Sequence, residues 1–320
     1  MSATRFRVLP RNTQPHAASI NWNQRFDKLF TIALFTIPGF SIFLTFLLIP
    51  ITLTARYSLY EWKGFGDLTS ENYAGLGNYQ RLYEHDVFHQ AVEHTFIIMG
   101  LSLLIQLPLA LGLALLVGRG ELPGRRFFRT LLFIPYVFSE VITALIWQYV
   151  YHPRNGLANY TFEKIIPGFE SIPWLGEREY VLYAIFAVLT WKFFGFHMLL
   201  YMAGLQSIPK DLEEAARIDG AGEWNVLRFV TLPLMGSTIR LTVFLSILGS
   251  FQQFVIVNVM TNGGPFYASE VMGTYLYKFG IQRFNLGYGS AIAVVLFFTT
   301  LIFSILYQRF VMRAEQEIAR

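Results

Sequence analysis

The sequence predicts an all-α integral membrane protein with six transmembrane helices, N-in/C-in, and a cytoplasmic loop between helices four and five. Three observations lead there. Charged residues make up 14% of the 320 and hydrophobic ones 54%, whereas a soluble domain carries about a quarter charged residues. Six apolar runs reach the length of roughly 20 residues that a bilayer core demands. Lys and Arg also gather in alternate loops, as they do on the cytoplasmic side of membrane proteins.

The first run, residues 29–55, carries no charge. It follows a basic start, but it is too long for a secretory h-region and lacks a small-x-small cleavage site, so a retained helix is expected. The second run covers 95–117. The third, 130–150, contains Glu140, and the fourth, 180–205, contains Lys192. The fifth and sixth cover 241–260 and 291–311. Pro38, Pro50, Pro108 and Pro135 fall inside these runs; membrane helices tolerate proline where neighbours satisfy the freed carbonyls. Segments 1–28, 118–129, 206–240 and 312–320, with Arg309, hold sixteen Lys and Arg against eight in the longer opposite loops. The chain thus divides into a cytoplasmic tail (1–28), a membrane domain (29–311) and a second cytoplasmic tail (312–320). The basic excess belongs to the membrane topology, with lipid as the partner, and gives no argument for nucleic acid.

Two ionisable groups lie within the runs. Glu140 and Lys192 each sit about ten residues from both ends of their helices, and such groups face the protein interior because lipid exposure is costly. A direct Glu140–Lys192 pair is one expectation. In the fifth run Ser246, Gly249, Ser250 and Gln253 follow i, i+3, i+4, i+7 and form one polar stripe. Such a stripe either glues helices or lines a wet cavity. Lys192, Phe193 and Phe196 have compatible spacing on the fourth helix.

Between these two helices lies SIPKDLEEAARIDGAGEWNVLRFVTLPLM, residues 207–235. Ser207 and Pro209 suit a helix start, and Glu213 and Arg217 are spaced for an i, i+4 ion pair. Leu212, Ala215 and Ala216 leave a small-residue face. Gly220 can end the helix at positive φ. A second short helix then carries Trp224, Leu227 and Arg228. Bland physics makes this a solvated loop; the sharper reading is a docking element for a cytoplasmic partner.

Glu214-Ala215-Ala216, three residues, Gly220, nine residues and Val230-Thr231-Leu232-Pro233 resemble the EAA motif (EAA-x3-G-x9-I-x-LP) of ABC importer permeases, with Val230 in place of Ile. GLGNYQRL (75–82), LPGRRFFRTLLFIPY (122–136), AGLQSIPKDLEEAARIDGA (203–221) and TNGGPFYASEVMGTYLYKFG (261–280) are similar to the carbohydrate branch, of the maltose and glycerol-phosphate type. The resemblance covers about residues 30–315. It implies a heterodimer with a second permease, two ATPase subunits that bind ATP and Mg, and an extracytoplasmic substrate-binding protein, all at the bacterial cytoplasmic (inner) membrane. It assigns coupling to Glu214, Ala215, Ala216, Asp219 and Gly220. It places a substrate pathway at Leu189, Lys192, Phe193, Phe196, Ser246, Gly249, Ser250 and Gln253, with Glu140 nearby. Aromatic faces suit the C–H faces of a sugar, and hydroxyls and amides suit its OH groups.

The chain's own chemistry agrees with transport rather than catalysis. It has no cysteine, no P-loop, no HExxH and no GxSxG; no cofactor is expected on it. His85 and His89 are four apart but lack an evident third ligand, so no metal is expected. The solute stays open: an oligosaccharide leads, with a polyol, glycerol phosphate or an acidic sugar as alternatives, since Lys192 would suit an anion. An ion-coupled secondary transporter is the alternative of another class, which the EAA spacing and six-helix length disfavour. TNGGP (261–265) reads as a plain turn or as part of an external gate.

Overall fold

The computed structural model describes residues 22–118 and 123–312. Among these the regular structure is helical, apart from an isolated bridge between Tyr60 and Tyr73. Contacts divide the chain into two units, 1–53 and 54–320. The described part of the first unit holds most of helix α1, whose membrane-length stretch is Asp27–Tyr57. Its side chains from Leu29 to Leu48 are almost all exposed, as expected of a uniformly apolar helix whose solvent is lipid.

In the second unit α2 (Gly77–Tyr83) leads into α3, which runs over Asp86–Gly118 with a π-helical turn at Ser102–Gln106. Helices α4 (Arg125–Val137) and α5 (Glu140–Val150) follow, then α6 (Leu157–Ile165) and α7 (Val181–Gln206). The 207–235 loop contains α8 (Lys210–Ile218) and α9 (Glu223–Leu234), and α10 (Gly236–Phe251) rises from it. Then come α11 (Val255–Thr261), α12 (Met272–Tyr275, continuing as π-helical Leu276–Gln282) and α13 (Leu286–Met312).

Among the described residues, four helices, α1, α3, α7 and α13, are continuous, long and apolar enough to span a membrane. The other two predicted spans differ from expectation. The third is broken by a 99° bend between α4 and α5. Phe138 and Ser139 leave the helix in extended conformation, and the Ser139 hydroxyl accepts from Ile142 N (3.2 Å), so α5 starts afresh with its own N-cap. The fifth, predicted as one helix over 241–260, stops at Phe251 and resumes at Val255. Ahead of it, α9 and α10 meet at 68°.

Helix α7 is the axis of the packing. Two thirds of its most apolar window is buried, which explains why its sequence is apolar all round rather than striped. One face packs Phe194, Met198, Tyr201, Met202 and Leu205 against Ala110, Ala114 and Val117 of α3. Another packs Ile185, Val188 and Leu189 against Ile256, Val257 and Met260 of α11. A third cluster joins α3, α10, α12 and α13 through Phe88, Ile247, Phe251, Tyr275 and Ile292. Gly195 lets α4 lie directly on α7: a Cβ there would come 2.5 Å from the Leu132 carbonyl oxygen.

Polar side chains fasten the helix ends and breaks. Arg129 donates from Nε and one terminal nitrogen to the last carbonyls of α3, Val117 and Gly118, each at 2.8 Å, a basic C-cap. Gln148 donates to the carbonyls of Val259 (2.8 Å) and Met260 (3.0 Å), tying α5 to α11.

Candidate functional site

The polar stripe faces a cavity of about 320 Å³. Phe193, Phe196, Ser246, Gly249, Ser250 and Gln253 all line it, as does Leu189. The structure therefore brings together the aromatic face of α7 and the small polar face of α10, with Gln253 just past its end. The hydroxyl of Ser250 donates to Ser246 O (3.0 Å) and the Gln253 amide to Gly249 O (3.2 Å). Both side chains keep acceptor lone pairs for the cavity. Tyr136, at the end of α4, stacks on Phe196 with ring centroids 5.0 Å apart. It joins the lining although no periodicity in the sequence marks it.

Lys192 does not line the cavity. Its ammonium donates to the carbonyls of Pro135 (3.3 Å), Tyr136 (2.8 Å) and Phe138, the acceptors released where α4 ends at the break. Nor does it form the expected pair: Glu140, partly exposed in the first turn of α5, makes neither an ion pair nor a hydrogen bond with it. The physical reason is geometric. The break presents three carbonyls to one cation, and a three-donor ammonium is the side chain that can serve them all.

The 207–235 loop has the predicted helix–turn–helix form. Gly220 sits at φ +88° with open space around it, so its role is conformational rather than steric. Glu214, Ala215 and Asp219 are exposed and Ala216 is partly so. The outward face adds Ile218 (85% exposed) and Trp224 (67%). One expectation fails: Arg217 does not pair with Glu213 one turn back. Its guanidinium forks onto Glu223 across the turn, Nε–Oε1 2.7 Å and NH2–Oε2 3.1 Å, which clamps α8 to α9. That contact raises the Arg217 pKa and lowers that of Glu223. Glu213 is buried and accepts from the Thr231 hydroxyl at 2.6 Å, so it anchors the loop to the start of the next span.

Two further polar clusters went unnoticed in the sequence. At the TNGGP turn Glu270, wholly buried, pairs with Lys278 at 2.6 Å, and Lys278 also donates to Asn262 O at 2.7 Å. A buried pair eight residues apart on irregular backbone has no helical spacing to reveal it. Nearby, Tyr275 Oη lies 3.0 Å from His85 Nδ1 and 2.7 Å from Tyr288 Oη, so His85 is engaged by a phenol rather than paired with His89.

Comparison with known proteins identifies the family. Residues 106–316 match the family described as "Binding-protein-dependent transport system inner membrane component". The chain is 33% identical over 287 residues to the probable ABC transporter permease protein YurN of Bacillus subtilis (strain 168), covering 89% of this chain and 97% of that protein. It is 30% identical over 292 residues to the diacetylchitobiose uptake system permease protein NgcF of Streptomyces coelicolor, covering 88% and 82%. Its fold matches a chain in the crystal structure of a bacterial alginate ABC transporter in complex with an alginate pentasaccharide-bound periplasmic protein. There the TM-score is 0.80 at 23% identity, over 92% of this chain and 98% of that one. The chain is a multi-pass membrane protein of the binding-protein-dependent transport family, an ABC importer permease.

Proposed function

We propose that this permease forms half of a translocation pore that carries a carbohydrate across the bacterial cytoplasmic membrane by alternating access, powered by ATP hydrolysed on separate subunits. In this reading both termini and the 207–235 loop are cytoplasmic, and six spans result if each bent pair counts as one. A second permease completes the pore. Two ATPase subunits, which hold ATP and Mg, receive α8, with Glu214, Ala215, Ala216, Asp219 and Gly220 at the contact. An extracytoplasmic binding protein delivers the solute.

The observation that carries the reading is continuity. The loop that presents Glu214 to Gly220 runs through α9 directly into α10, the helix that supplies Ser246, Gly249 and Ser250 to the cavity. A push on α8 thus has a short path to the cavity wall, through the Gly220 turn, α9 and the 68° bend into α10, with the Arg217–Glu223 fork bridging the two loop helices. The sugar assignment draws on the aromatic-plus-hydroxyl lining and on the uptake systems of relatives such as NgcF.

Purification of the tagged permease in mild detergent tests the assembly: an ATPase and a second permease should be retained. Recovery of the chain alone, with no ATPase retained, would speak for the self-sufficient ion-coupled alternative.

A further inference from the structure

The stripe on α10 and the aromatics on α7 make two walls of the cavity. A third wall comes from α3, where Ser102 and Gln106, four residues apart and so on one helix face, bound a π-helical turn and both line the cavity. π-Turns of this kind recur at functional sites. Ser102 is 5% exposed and Gln106 4%; no side-chain hydrogen bond within the described residues engages either, and both line the cavity. His197, on α7 beside Phe196, is 5% exposed and also lines the cavity, with an Nδ1 that has no partner. Buried polar groups are normally satisfied, and leaving one unmade costs free energy. One orphaned imidazole nitrogen beside two cavity-lining polar side chains suits a ligand rich in donors and acceptors.

The charge of that ligand is also legible. Among the described residues, no Asp, Glu, Lys or Arg lines the cavity. The cation that would suit an anionic solute, Lys192, is held by the carbonyls of Pro135, Tyr136 and Phe138. About 320 Å³ falls at the lower end of the roughly 300–1,000 Å³ range of small-molecule sites, enough to engage part of a saccharide.

We propose that Ser102, Gln106 and His197 form a second polar wall of the solute site, reading the hydroxyl groups of a neutral saccharide. The proposal rests on the transport reading above and adds to it the charge class of the solute and three specificity residues. Gln106 can donate and accept toward vicinal hydroxyls, Ser102 can do either, and His197 offers Nδ1 as donor or acceptor by tautomer.

Equilibrium dialysis of the detergent-solubilised complex, without the external binding protein, tests this against labelled maltose, lactose and diacetylchitobiose, with digalacturonate as competitor. At least one neutral disaccharide should bind. Gln106→Leu and His197→Leu should each weaken it about tenfold, the effect of losing one good hydrogen bond. His197→Asn, whose amide reaches the position of Nδ1, should stay near wild type, and digalacturonate should not compete. Ligand-free Gln106→Leu should melt no lower than wild type, because its amide has no side-chain hydrogen bond within the protein to lose; this separates a binding role from a structural one. The proposal is overturned if no neutral disaccharide binds, if the Leu variants bind like wild type, or if digalacturonate displaces the label as well as unlabelled disaccharide does. The transport reading fails separately, when no ATPase co-purifies.

Discussion

The Lys192 ammonium stands where the third span loses its helical hydrogen bonds, donating to the carbonyls of Pro135, Tyr136 and Phe138. Lys192→Met should lower the melting temperature of the solubilised complex, since each carbonyl left without a donor costs about 1–3 kcal/mol. The charge swap Glu140→Lys with Lys192→Glu should be no better in yield or uptake than either single variant. A carboxylate at 192 would set acceptors against acceptors, whatever stands at 140; recovery in the double variant would contradict this. In the cavity, Ser250→Leu with Gln253→Leu should cut uptake at least about tenfold, the cost of roughly one hydrogen bond, while leaving subunit retention intact. Unchanged uptake would remove these two residues from the site. At this scale the sequence was informative where periodicity speaks. Ser246, Gly249, Ser250 and Gln253 were readable as a stripe because a helix repeats every 3.6 residues, and the structure places them on one cavity. Lys192 was visible as an intramembrane charge, but its partner was not, because nothing in 130–150 announces where the helix breaks. Ser102 and Gln106 share a helix face by their i, i+4 spacing, but they lie in a 33-residue apolar helix and the sequence does not show that this face meets the cavity.

Among the elements, the 207–235 loop depends most on one backbone conformation. Gly220 at φ +88° reverses the chain between α8 and α9, and a β-branched residue there is strained by about 1–2 kcal/mol. Gly220→Val should therefore assemble with reduced retention of the ATPase, and residual ATP hydrolysis should no longer respond to solute. The helix–turn–helix shape was legible from Pro209 and Gly220; the Arg217–Glu223 fork was not, because it crosses the turn and has no fixed spacing. At the opposite end of the helices, His85 links α2 and α3 to Tyr275 and α13. Burial, then the fields of Arg81 and Arg283, lower its pKa below 6.5. The unfolded chain then binds more protons than the folded one, so the stability it contributes is present above pH 6.5 and is lost as pH falls below it. Melting temperatures measured from about pH 7.5 to 5.5 should fall, and His85→Gln should flatten that slope.

At the scale of the whole molecule, the charged loop and the polar cavity belong to one short path, a run of consecutive helices. Two breaks surround that path: one after α4, stitched by Lys192, and one after Phe251, where Gln253 turns back on Gly249. Spans drawn from hydropathy alone could not show them, since apolar residues continue on both sides of each break. In the proposed reading the cavity is the solute site, and one of its walls continues from the 207–235 loop. The most direct test is uptake into vesicles that hold the full transporter, with its binding protein outside and ATP inside. Solute accumulation should require internal ATP, persist when proton and sodium gradients are collapsed, and be abolished by Gly220→Val. Accumulation that follows an ion gradient without ATP, or that survives Gly220→Val at the wild-type rate, would contradict the account.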